Sequence, residues 1–211
     1  MAQSANSKTR ATLLQGLEWL YDRAVGGVPA LDSAHDLATS YRQKFSGDDA
    51  VDALIKWQMA KAGAASFASS FGGALTLPVA LPVNFASVTY IQLRMIAAIA
   101  HLRGHDIESD PVRTVALACL CGARVTGLVR DLGIRFGAPI AHEALKRLSG
   151  DGLKQINQAI ACRLAAVAGT SSSVNLSKLM PVVGGVISGG LDAAVTHGYG
   201  KTAKRLFQPV A

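Results

Sequence analysis

Apolar residues at Leu13, Leu14, Leu17, Leu20, Tyr21 and Ala24 recur at helical spacing, so Thr12 to Val25 is predicted to form an amphipathic helix. Gly26, Gly27 and Pro29 stop it, and the polar residues 1–9 before it read as a flexible N-terminal arm. Asp32 and Ser33 can cap a second short helix that ends near Phe45. Gly47-Asp48-Asp49 opens a third, which includes Leu54, Ile55 and Trp57 and continues through Ala60, Ala64, Phe67 and Phe71 to Gly72-Gly73.

The pattern then changes. From Ala62 to Leu93 no residue is charged, and Gly72, Gly73, Pro78 and Pro82 divide the stretch. Pro82 suits the first position of a new helix, because its fixed φ is helical and no donor is needed there. That helix should run through Ile91, Arg94, Met95 and Ile99 to His101 or Leu102, with Gly104 as its stop. It is apolar on most sides, which predicts a central position.

Asp110-Pro111 starts the next helix, predicted to reach Leu132 and to contain Cys119 and Cys121. Further helices are expected from Pro139 to Leu148, from Leu153 to about Ala168, and from Pro181 towards Phe207, with Thr170 to Ser173 as a loop. No segment reads as a strand. The pattern predicts a single-domain, all-α bundle of about seven to nine helices, with the helices from Pro82 and Pro181 at its centre.

Composition narrows the setting. Charged residues make up 17% of the chain, below the roughly 25% usual for soluble domains. A net charge of +7 favours anionic partners, yet no basic run stands beside stacking aromatics. Nucleic acid is therefore not expected, and an anionic membrane surface or lipid is. The N-terminus lacks the apolar core of a signal peptide, and Cys119, Cys121 and Cys162 form an odd set, read as buried free thiols. Both features predict a cytoplasmic protein, with or without attachment to the inner face of a membrane.

A membrane span needs about 20 consecutive apolar residues in one helix. The uncharged stretch fails on continuity, and its most apolar helix carries Arg94 near its middle. An apolar hairpin within Ala62 to Leu102 could still meet lipid. A guanidinium on a central helix needs a partner, and Asp192, in the other strongly apolar helix, is the predicted carboxylate. In that last helix Gly185, Gly189 and Ala193 recur every fourth position, a smooth face expected to pack closely against the helix from Pro82.

Signatures of catalysis are sparse. His101 and His105 have the i,i+4 spacing of metal ligands, but Gly104 falls between them and no third ligand is evident. His142-Glu143 opens like a zincin motif, but Lys146 stands where the second histidine belongs. Neither a nucleophile elbow nor a Walker loop is present. No metal or cofactor is expected. The one polar constellation is a candidate pocket of Asn84, Gln92, Arg94, Asp192, Thr196 and His197, whose alternative reading is a hydrolase-like enzyme.

Two segments carry a resemblance. Leu75-Thr-Leu-Pro-Val-Ala-Leu-Pro-Val-Asn84, continued by Tyr90-Ile-Gln-Leu-Arg94 to Gly104 and Asp110-Pro-Val-Arg113, is the first. Leu179-Met-Pro-Val-Val-Gly-Gly-Val-Ile-Ser-Gly-Gly-Leu-Asp192-Ala-Ala-Val-Thr196, followed by Lys201 to Phe207, is the second. Together they resemble the EcsC family of bacterial proteins, over residues 10–208. Asn84 departs from the family pattern, where the position is typically acidic. The resemblance implies a helical protein with a loose association with membrane transport, linked to an ABC transport system, and no settled activity. The expected role is that of an accessory or interaction protein, with lipid or another protein as its partner.

Overall fold

The computed structural model describes residues 2–29, 31–63, 83–121, 150–151, 153–154, 156–158, 160 and 185–210. Six helices organise them: α1 (Ala2–Gly26), α2 (Ala34–Arg42), α3 (Gly47–Gly63), α4 (Val83–Leu102), α5 (Asp110–Cys119) and α6 (Gly185–Leu206). The described residues between 150 and 160 are also helical, and no strand occurs among the described residues. The fold is all-α. The Gly72-Gly73 turn, Pro78, Pro82, the extension of α5 to Leu132, the Pro139 helix, the Thr170–Ser173 loop, Pro181 and Cys162 lie outside the described residues.

Helix α1 shows how the pattern became structure. Leu13, Leu17, Leu20, Tyr21 and Ala24 are all buried on one face, as their spacing requires. The helix also extends back to Ala2, through residues that read as a loose arm. Residues 2–10 contain neither glycine nor proline, and extending an existing helix adds one hydrogen bond for each residue fixed.

Helix α2 begins with a capping box: the Ser33 hydroxyl accepts from the Asp36 amide at 3.0 Å, and the Asp36 carboxylate accepts from the Ser33 amide at 3.2 Å. At α5 the cap is Ser109 rather than Asp110, which moves into the first turn; the Ser109 hydroxyl donates to the Asp106 carbonyl at 2.6 Å. Helix α4 ends as predicted at Leu102, and Gly104 follows in the left-handed region at φ +85°.

Helix α4 is the axis of the molecule. Every residue from Thr89 to Ala100 is buried, and α4 touches each of the other five helices. Helix α6 packs on α3 and α4, but its half from Asp192 onward keeps an exposed stripe at Ala194, His197, Gly198, Lys201 and Arg205. From Asp192 onward α6 is amphipathic, with its other face turned to α3 and α4. Its end is strapped down: Val210 N donates to Arg103 O at 2.8 Å, His105 Nε2 lies 2.8 Å from Gln208 O, and Phe207 is fully buried. Among the described residues, no helix is long and apolar enough to cross a membrane.

Candidate functional site

Arg94 is 2% exposed, the largest fully buried side chain among the described residues. Its Nη1 donates to the Asp32 carbonyl oxygen at 3.1 Å, its Nη2 to Gln58 Oε1 at 3.3 Å, and its guanidinium lies 5.8 Å from the centre of the Tyr90 ring. These are two neutral oxygens and a π face. Tyr90 precedes Arg94 by one helical turn, which places the two on the same side of α4. Burial draws the guanidinium below its ordinary value, opposed by Tyr90 and by the field of Asp32. Arg94 Nε and Gln58 Nε2 are buried without a hydrogen-bond acceptor among the described residues.

The predicted carboxylate partner is not there. Asp192 is half-buried on α6, and its carboxyl is pushed up from the usual carboxylate range by burial. The reason is angular. Residues two apart on a helix diverge by about 200°, so Gln92 and Arg94 leave α4 on different sides. Gln92 faces α6, where its Nε2 donates to the fully buried Thr196 Oγ1 at 3.1 Å. Arg94 faces α3 and the start of α2. The helix pairing expected from the sequence is present, but an amide and a hydroxyl carry it.

Of the other predicted residues, His197 is exposed on α6, while Asn84 lies in the first turn of α4 with its side chain outside the described residues. Gly185 and Gly189 are helical, and Ala193 is half-buried. A close helix approach is visible one heptad beyond Ala193, at Gly200, where a Cβ would stand 2.8 Å from Ile55 Cγ1 of α3. His101 and His105 point to different neighbours: His101 meets the His35 ring edge-on at 4.6 Å, whereas His105 joins the C-terminal strap. No three potential metal ligands gather among the described residues.

Sequence reading missed a second polar region, the seam between α3 and α6. Lys204 Nζ bridges Asp52 at 2.8 Å and Asp48 at 3.1 Å, Arg103 reaches Asp48 at 2.7 Å, and Lys201 stands 3.8 Å from Asp52. Burial alone would lower the Lys204 ammonium, but its hydrogen bonds to Asp52 and Asp48 outweigh that and raise it. Asp48 is held below its ordinary range, chiefly by Lys204. The signal was present: Asp48 and Asp52 are one turn apart, as are the lysines 201 and 204, so each pair shares a helix face.

Beside this seam lies a groove of about 320 Å³ lined by Asp52, Ile55, Lys56, Met59, Ala194, His197 and Lys201. Around α3 from it stands Trp57, 59% exposed, with Lys56 before it and Lys61 one turn after.

The model of the EcsC protein family matches residues 46–209, which takes in α3 to α6 and the strap that follows. No curated protein and no solved structure matches the chain.

Proposed function

The chain belongs to the EcsC family, and from that premise we propose that it is an accessory protein that works at the anionic cytoplasmic face of a membrane, in the setting of ABC transport. The exposed face of α3 carries this reading. Trp57 offers an amphipathic ring suited to the headgroup layer, and Lys56 and Lys61 offer charge to anionic lipid. The same helix leads directly into the uncharged stretch from Ala62 to Leu93. A basic excess of +7 over the whole chain adds long-range attraction.

The enzyme alternative needed Arg94 and Asp192 in one pocket. Arg94 is hydrogen-bonded to Asp32 and Gln58 rather than to Asp192, so that pairing does not favour it. Flotation with vesicles tests the membrane reading: at low salt the protein should rise with anionic vesicles and stay behind with neutral ones. Failure to rise with either would overturn it.

A further inference from the structure

We propose that the groove between α3 and α6 seats one anionic phospholipid headgroup, its phosphate between Lys56 and Lys201 with His197 beside it. The first methylenes of the lipid tail then rest on Ile55, Met59 and Ala194. This rests on the membrane-surface reading and gives that surface a specific site.

The groove has the chemistry of an amphiphile. Its lining combines apolar Ile55, Met59 and Ala194 with Lys56, Lys201 and His197, and one carboxylate, Asp52. That carboxylate is already engaged, because Lys204 holds one oxygen at 2.8 Å and leaves Lys201 at 3.8 Å from the other. The groove's own lining sets Lys56 and Lys201 against the single Asp52 carboxylate, so its balance is positive. Lys56 makes no ion pair among the described residues, which leaves its ammonium to an incoming anion. On α6 Ala194, His197 and Lys201 follow i, i+3, i+7 spacing and present one exposed face.

Size agrees with the chemistry. About 320 Å³ is at the small end of ligand pockets, which run to roughly 1,000 Å³, and suits a headgroup with a short length of tail. An anion held by two lysines gains charge-assisted hydrogen bonds, and the apolar part of the lining adds what inorganic phosphate cannot use.

The probes are phosphatidic acid with two six-carbon chains kept below its micellar concentration, the matching phosphatidylcholine, and inorganic phosphate, titrated by calorimetry. The wild-type chain should bind the phosphatidic acid saturably with one site, and inorganic phosphate about tenfold more weakly or worse, because burying two methylenes is worth about that factor. Ala194→Trp fills the groove without changing charge, and Lys56→Gln removes one cation. Each should weaken the phosphatidic acid by about tenfold with an unchanged melting temperature, since both positions are exposed. Equal binding by Ala194→Trp, or equal affinity for inorganic phosphate, would overturn the site. Flotation with anionic vesicles but no saturable binding of the short lipid would sink the groove and leave the surface reading standing. Saturable binding without flotation would do the reverse.

Discussion

Arg94 and Arg103 leave the same stretch of chain nine residues apart, and both are largely withdrawn from water, yet they are satisfied in different ways. Arg94, in the middle of α4, has a backbone carbonyl, a glutamine oxygen and a tyrosine face. Arg103, just past the end of α4, has the Asp48 carboxylate at 2.7 Å, and that carboxylate is 62% exposed. A carboxylate brought to Arg94 would itself have to be desolvated, at a cost of several kcal/mol per ion. At the helix end the acid can stay in water while only the arginine is drawn in. At the centre of the bundle the cation is hydrogen-bonded by neutral groups, with the exposed Asp32 carboxylate acting through its field, whereas the rim takes direct ion pairs.

The largest break in this comparison is at Arg94. Arg94→Ala should cost about 3–5 kcal/mol, since it empties a large buried volume and strands the Gln58 amide and the Asp32 carbonyl. Arg94→Met keeps most of the volume and should recover much of that loss; denaturant melts of the two variants read the difference. Equal losses would mean that the guanidinium's charge, and not its volume, holds the site.

That centre was only partly legible in the sequence. Burial of α4 followed from its apolar periodicity, and the need of Arg94 for a partner followed from that burial. The partner did not, because Gln58 lies 36 residues away and the Asp32 contact is made by a main-chain oxygen, which no side-chain pattern reveals. Angular phase along α4 would have excluded Asp192 once Thr196 was matched to Gln92. The rim was legible as shared helix faces, but nothing in the spacing placed α3 beside α6.

The α3–α6 contact offers the next break. At Gly200 an added Cβ meets Ile55 Cγ1 at 2.8 Å and Cγ2 at 3.0 Å, atoms close to the backbone that cannot swing away. Gly200→Ala should destabilise by about 1–3 kcal/mol despite the better helix propensity of alanine. Ile55→Ala should relieve the clash, and a double-mutant cycle on melting curves should show coupling between the two. Additive losses would mean that the helices do not touch there.

Smaller effects separate neutral from charged pairing. Gln92→Ala leaves the Thr196 hydroxyl buried without its donor and should cost about 1–2 kcal/mol, insensitive to salt. Lys204→Ala at the rim should cost about 1 kcal/mol or less and shrink as salt is added. The Asp48 carboxyl is depressed, chiefly by Lys204, so its contribution is complete above the unfolded carboxylate range and is lost as pH falls through its folded value. Wild-type stability should therefore fall on acidification below about pH 4, and Lys204→Ala should show a shallower fall in acid melts.

Arg94 holds the fold, whereas the outer face of α3 is the proposed contact with the membrane. Flotation of Arg94→Met and Trp57→Ala beside wild type, on anionic vesicles at low salt, tests it directly. Arg94→Met, once shown to be folded, should float like wild type, whereas Trp57→Ala should stay largely behind. A folded Arg94→Met that no longer floats, or a Trp57→Ala that floats undiminished, would contradict it.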